Sequence, residues 1–155
     1  MDATAGLEIE RKFLLAEIPA RLDQYPHECI DQGYVTFSPG DTEIRLRRKG
    51  AKYFLTAKRG HGTVRREIEI RLRKKQFETL WPLTKGRRLR KVRYEVPWNQ
   101  FLITLDVYKG RHRGLKVAEV EFTSRAQSRR FIPPVWFGQE VTRNKRYRNR
   151  SLAQE

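Results

Sequence analysis

The chain repeatedly sets charged side chains against apolar ones at every second position, and few backbones accommodate that pattern. Alternation with period 2 belongs to strands, whose successive side chains point to opposite faces. Eight segments carry it: Leu7–Leu15, Cys29–Phe37, Glu43–Lys49, Tyr53–Arg59, Thr63–Arg73, Leu89–Val96, Phe101–Tyr108 and Leu115–Thr123. Turn residues separate most of them, as in Ser38-Pro39-Gly40-Asp41, Gly50-Ala51-Lys52, Gly60-His61-Gly62 and Pro97-Trp98-Asn99-Gln100. Connections this short join antiparallel neighbours.

Three stretches read as helices. Ala16–Asp23 spaces Ile18 and Leu22 four apart, and Lys74–Thr84 gathers Phe77, Leu80 and Trp81 on one face. Ser124–Phe131 opens on a capping serine and stops before Pro133-Pro134. The tail after Val135 has no clear period. The expected class is α+β, mainly β, in a single domain spanning residues 1–155.

The polar faces are the unusual ones. A solvated sheet face ordinarily mixes its charges with Ser, Thr, Gln and Asn. Here same-sign doublets recur two residues apart: Glu8-x-Glu10, Arg45-x-Arg47, Glu67-x-Glu69, Lys91-x-Arg93 and Glu119-x-Glu121. Like charges on neighbouring same-face positions repel, so solvation alone gives no reason for them. Eight antiparallel strands suffice to close a barrel. The expected architecture is therefore an eight-stranded antiparallel closed barrel, a tunnel with a charged interior and helices packed outside. Such an interior makes sense around water, a divalent cation and a polyanion. Paired carboxylates suit Mg²⁺ or Mn²⁺, and arginines and lysines suit phosphoryl oxygens.

Composition narrows the partners. The 34 Lys and Arg against 18 Asp and Glu give a formal net charge of +16, which favours polyanions. The single cysteine, Cys29, excludes an internal disulfide framework and a cysteine-based zinc site. No apolar run approaches the roughly 20 residues of a membrane span. The opening Met1-Asp2-Ala3-Thr4 lacks the features of a signal peptide. The expected location is the cytoplasm, with no membrane partner. His27, His61 and His112 are not spaced as a metal site, and no Ser-His or Cys-His pairing suggests a covalent nucleophile.

Glu8-Ile9-Glu10-Arg11-Lys12-Phe13 resembles the N-terminal Glu-x-Glu-x-Lys signature of the CYTH domain, the triphosphate tunnel metalloenzymes. The later doublets follow in that family's order: Arg45-x-Arg47, Thr56-x-Lys58, Glu67-x-Glu69, Lys91-x-Arg93, Asp106 and Glu119-x-Glu121. The closing Trp136-Phe137-Gly138-Gln139-Glu140-Val141-Thr142 and Arg146-Tyr147-x-Asn149 are also similar. The resemblance implies a tunnel that binds a triphosphate and Mg²⁺ or Mn²⁺. By it, Glu8, Glu10 and Glu121 are metal ligands, with Glu119 contributing or serving a second ion. Arg45, Arg47, Lys58, Lys91 and Arg93 become the triphosphate cradle. Glu67, Glu69 and Asp106 become an acidic wall that orients waters or a second metal. Lys12 and Tyr34 match a pair that positions or activates the attacking water in short inorganic triphosphatases.

The resemblance makes metal-dependent hydrolysis of inorganic triphosphate the first expectation. Hydrolysis of thiamine or nucleoside triphosphate, or cyclisation of ATP, is the alternative within the same fold. No His-Phe-x-x-Arg segment of the class IV adenylate cyclases lies near Arg45, which weakens cyclisation. The tail Thr142-Arg143-Asn144-Lys145 departs from members that carry an acidic residue there. A basic module binding RNA or polyphosphate would use the net charge through phosphate contacts. Nucleic acid is not the favoured partner, because paired glutamates repel its backbone. Oligomeric state is not legible.

Overall fold

The computed structural model describes residues 9–37, 42–59 and 66–154. Among them, nine strands alternate with a few short helices, and every strand pairing is antiparallel. The described residues form two compact units, one of residues 29–90 and 148–154, the other of residues 9–28 and 91–147.

In the first unit, β2 (His27–Phe37), β3 (Thr42–Lys49), β4 (Lys52–Arg59) and β5 (Arg66–Leu72) lie in the order β5-β4-β3-β2, with β2 entering the unit at Cys29. Leu46, Leu72 and Phe77 form its buried core, joined by Val35, Tyr53, Leu55, Leu80 and Trp81. Phe77 and Trp81 come from α1 (Lys74–Leu80) and the 3₁₀ turn Trp81–Thr84, and their rings stack 5.0 Å apart. The expected helix Lys74–Thr84 is thus present as two joined pieces. Pro82, which lacks a backbone donor, sits where the α geometry gives way. β5 is exposed from Arg66 to Arg71, and Ile68 and Ile70 face solvent.

In the second unit, β1 (Ile9–Leu15), β6 (Arg88–Trp98, from Lys91 on), β7 (Phe101–Tyr108), β8 (Lys116–Phe122) and β9 (Phe137–Glu140) lie in the order β6-β7-β8-β1-β9. Phe13, Ile103, Val120, Phe122, Phe131 and Phe137 are central to its core. Phe131 follows α2 (Arg125–Arg130), whose N-cap Ser124 accepts a hydrogen bond from the Gln127 N–H through Oγ, as the sequence suggests. Trp136 pins the segment beyond it, edge-on to Phe137 at 4.7 Å.

Two expectations are corrected, the strand count and the first helix. Among the described residues the strands number nine, because β9 pairs with β1. Its four residues are too few to show a period. Among the described residues, β5 and β9 each have a strand neighbour on one side, so these pairings do not describe the closed barrel expected. The helix expected over Ala16–Asp23 shrinks to one 3₁₀ turn at Leu22–Gln24, since Pro19 interrupts it and Arg21 adopts a left-handed φ of 58°. The tail also holds α3 (Asn149–Gln154), which buries Leu152 and Ala153. No helix of the described residues is long and apolar enough to cross a membrane.

Gly33 on β2 is packed against Thr84, and a Cβ there would stand 2.6 Å from the Thr84 Cβ. Thr84 is fully buried, with its hydroxyl donating to the Trp81 carbonyl at 2.7 Å. The same hydroxyl accepts from Arg88 Nε at 2.8 Å, so moving it would break two hydrogen bonds. Gly33→Ala is expected to destabilise the protein by about 1–3 kcal/mol. A lower urea midpoint with an unchanged slope checks this, whereas an unchanged midpoint would mean the turn yields.

Candidate active site

The two units each carry one charged sheet face, and the strand register determines which residues share it. In the second unit, Glu10 lies opposite Glu121, and Lys12 opposite Glu119. Glu119 is in turn opposite Thr104, and Asp106 opposite Arg93. Thus Glu10, Lys12, Glu119, Glu121, Asp106, Arg93 and Lys91 project from one face, as their parity predicts. Glu8 lies outside the described residues.

Asp106 is the electrostatic centre of that face. Its Oδ2 accepts from Lys91 Nζ at 2.6 Å and Arg93 Nη2 at 2.8 Å, and its Oδ1 from Arg93 Nε at 2.8 Å. Lys91 is fully buried and Asp106 nearly so. Burial alone would raise the Asp106 carboxyl, but Lys91 and Arg93 reverse this and hold it well below the usual carboxylate range. Burial also drags the Lys91 ammonium down to about 8, against the pull of Asp106. Two cations gathered round one carboxylate leave that cluster with one positive charge in excess, with Glu119 the next nearest carboxylate. Asp106, expected in the acidic wall that orients waters or a second metal, here anchors Lys91 and Arg93, both expected in the cradle.

Lys12 is held from two sides. Its Nζ lies 2.9 Å from Glu119 Oε1 and donates to the Tyr147 carbonyl at 3.3 Å. Its backbone is also tied to the tail: Lys12 N–H donates to Thr142 Oγ1 at 3.0 Å, and Val141 N–H to the Lys12 carbonyl at 2.8 Å. The departure at 142–145 therefore does not cost the tail its contact with β1. Arg11, of opposite parity, clasps Glu140 through Nε and Nη2 at 2.8 and 3.0 Å and keeps that carboxyl below its ordinary value.

Glu10 and Glu121 are both exposed and directly opposed across β1 and β8. Among the described residues no group of three acidic, histidine or cysteine side chains is gathered as a cation site. Two carboxylates nevertheless fit Mg²⁺, a hard cation that commonly takes one or two carboxylates and fills its octahedron with water and substrate phosphate. A cation there relieves the repulsion between opposed like charges.

In the first unit, Gln32 faces Arg47, Tyr34 faces Arg45, Arg45 faces Thr56, and Thr56 faces Glu69. Lys58 pairs with Glu67 at 3.0 Å. Arg45 Nη2 donates to Thr56 Oγ1 at 3.2 Å, and Thr56 Oγ1 to Glu69 Oε2 at 2.9 Å. Arg45 is buried, and among the described residues its Nε has no hydrogen-bond partner. A buried guanidinium donor without an acceptor is costly, and an anionic oxygen would satisfy it. Tyr34 is buried beside Arg45, its hydroxyl accepting from Gln32 Nε2 at 2.7 Å. Burial pushes its phenol up to about 12.

The structure thus brings the expected residues together in two sets. Lys12, Glu10, Glu119, Glu121, Lys91, Arg93 and Asp106 share the face in one unit. Tyr34, Arg45, Arg47, Lys58, Glu67 and Glu69 share the face in the other. Gln32 and Thr56, both fully buried, were not singled out as site residues. Thr56 stood in the Thr56-x-Lys58 doublet, whereas Gln32 meets a cation only across the strand pair, at Arg47.

Buried cations beside exposed carboxylates make a face suited to a phosphate chain. The CYTH domain model matches residues 6–148, and the chain belongs to that family. An inorganic triphosphatase of Nitrosomonas europaea is 48% identical over 149 residues, covering 94% of this chain and 96% of that protein. One of Acetivibrio thermocellus is 31% identical over 150 residues, covering 95% and 93%. A crystal structure of an inorganic triphosphatase superposes with a TM-score of 0.78 at 44% identity, covering 96% of this chain and 95% of that one.

Asp106→Asn would leave Lys91 and Arg93 buried without a counter-charge, at an expected cost of about 3–5 kcal/mol. The pH dependence follows from the depressed carboxyl. Its folded value lies below its unfolded value, so its contribution is present above the ordinary carboxylate range and is lost as pH falls through that range and below. Urea midpoints measured from pH 7 down to pH 3 should fall more steeply for the wild type than for Asp106→Asn. Parallel curves would remove the cluster from the account.

Proposed function

We propose that this chain hydrolyses inorganic triphosphate to diphosphate and phosphate, with Mg²⁺ or Mn²⁺ as its resident cation. The observation that carries the reading is the buried Arg45 Nε, a donor with no partner among the described residues on a face that also holds Arg47 and Lys58. The names of the relatives at 48% and 31% identity support inorganic triphosphate as the substrate. Within this reading residues 1–155 act as one domain, with the closed tunnel that membership of the family implies.

Arg45, Arg47 and Lys58 on one face, and Lys91 and Arg93 on the other, bind the phosphoryl oxygens. Guanidinium forks suit the paired oxygens of a phosphate, and a lysine acts as a point charge. Asp106 keeps Lys91 and Arg93 aimed, so no reorganisation is needed as charge develops. Glu10 and Glu121 would hold the cation, with Glu8 and Glu119 as further donors. When bound, the cation neutralises charge on bridging and terminal oxygens. Water attacks the terminal phosphorus in line, the new P–O bond forms as the anhydride bond breaks, and diphosphate leaves. Lys12, fixed by Glu119 and the Tyr147 carbonyl, orients that water together with Tyr34.

Phosphate release from tripolyphosphate should require Mg²⁺ or Mn²⁺ and stop on chelation. Glu10→Gln should lower kcat by roughly 10²–10³-fold. ATP assayed in parallel should turn over weakly. Salt-sensitive RNA binding with no turnover under any of these conditions would replace the triphosphatase reading with a binding module.

A further inference from the structure

The ammonium and the backbone of Lys12 are held by different neighbours, and the backbone hold leads away from the charged face. In an antiparallel strand the N–H and C=O of one residue point to the same edge. Lys12 turns both toward the tail, so it meets Glu119 of β8 as a non-hydrogen-bonded pair, whose side chains lie close. The β9 ladder gives out at this point. β9 pairs with β1 at Leu15 and Phe13, with a register shift between them, and its last residue is Glu140. Beyond it, Val141 N–H still donates to the Lys12 carbonyl at 2.8 Å. The Lys12 N–H instead meets a side chain, the Thr142 hydroxyl at 3.0 Å, where a strand would offer a carbonyl.

A hydroxyl has one proton, so its other hydrogen bonds accept. The Thr142 proton goes to Glu140 Oε1 at 2.8 Å, with the Lys12 carbonyl farther off at 3.5 Å, and the oxygen's lone pairs are left for the Lys12 N–H. Glu140 is held in its charged form by Arg11, whose Nε donates to Oε1 and Nη2 to Oε2. Arg11 is anchored in turn. Its Nη1 donates to the Ser128 carbonyl of α2 at 2.9 Å, and its guanidinium lies 5.1 Å from the centre of the buried Phe13 ring. Three side chains thus join the packed core to one peptide N–H of β1. We propose that Arg11, Glu140 and Thr142 brace the outer edge of β1, and that Thr142 is a positioning residue for the Lys12 ammonium. The inference rests on the triphosphatase reading, in which Lys12 orients the attacking water, and adds a residue to it. Water can satisfy an exposed peptide N–H, but it cannot hold a strand edge in place. Without the tether the peptide at Lys12 is free to swing, and Nζ leaves the place that Glu119 and the Tyr147 carbonyl set for it.

Thr142→Val keeps the branched shape and removes the hydroxyl. The expected result is a fall of about tenfold in kcat, with KM for tripolyphosphate changed less than twofold and the Mg²⁺ concentration for half-maximal rate unchanged. Thr142→Ser, which retains the hydroxyl, should keep kcat within about threefold of wild type. In a Lys12→Met background, Thr142→Val should cost less than twofold. Equal losses with and without Lys12 would overturn the proposal, as would Thr142→Val activity within twofold of wild type. A raised Mg²⁺ requirement would place the brace on Glu10 and overturn the proposal as well. Thr142→Ala covers a failure of the valine variant to fold, and it should show the same loss and the same non-additivity with Lys12→Met. The second readout is the Lys12 resonance in protein labelled with ¹⁵Nζ-lysine, identified by its absence in Lys12→Met. It should move in Thr142→Val and return in Thr142→Ser. A resonance at the wild-type position in Thr142→Val would overturn the proposal. An absence of turnover in the wild type would defeat the triphosphatase reading, and the resonance would still decide whether Thr142 sets the ammonium.

Discussion

Asp106 between Lys91 and Arg93 is the interaction on which the second unit's charged face depends. A lysine with no solvent exposure is tolerable only beside a counter-charge, and the 2.6 Å contact supplies it. The same carboxylate straightens Arg93 through two hydrogen bonds. Two positive groups are thereby carried into the interior with one negative group, and the surplus charge remains for a ligand. Replacing such a cluster with apolar side chains would be easier for the fold. Its retention is intelligible as preorganisation for an anion, in the way oxyanion sites hold their dipoles fixed before reaction.

The first unit solves the same problem by other means. Arg45 and Arg47 are tethered by neutral partners, Thr56 and Gln32, each using only part of a guanidinium's donor capacity. Neutral tethers restrict rotation without cancelling charge. Glu67 and Glu69 are displaced to the exposed strand β5, where Glu67 meets Lys58 and Glu69 reaches Arg45 through Thr56. One face is thus neutralised at its centre and the other at its margin.

Much of this was legible in the chain. Parity within each strand put Arg45 beside Arg47 and Glu119 beside Glu121, because a pleated backbone leaves no other choice. The cores were legible in part: Leu46, Ile103 and Val120 are buried at alternate positions, whereas Ile68 and Ile70 of the same pattern face solvent. What escaped reading were features without a period. β9 is four residues long, and the Ala16–Asp23 stretch failed as a helix on one proline and one left-handed arginine. Gln32 and Thr56 escaped for another reason. Their importance lies in which atom faces which neighbour across a strand boundary, and that depends on register. The tether from Lys12 to the Tyr147 carbonyl spans most of the chain and uses a backbone atom, which no side-chain pattern announces.

The irregularity in β2 has a bearing on how such chains change length over evolution. Pairing with β3 shifts between Tyr34 and Thr36, so Val35 is a bulged residue. Arg87 takes up the carbonyls of Tyr34 and Val35 on either side of it. Gln32 and Tyr34 lie upstream of this point and keep their facing whatever happens beyond it. A residue gained or lost between Cys29 and Tyr34 would turn the tyrosine or the glutamine over, whereas one gained or lost from Val35 onward would leave both as they are. When relatives are aligned, gaps in this strand belong on the C-terminal side of Tyr34.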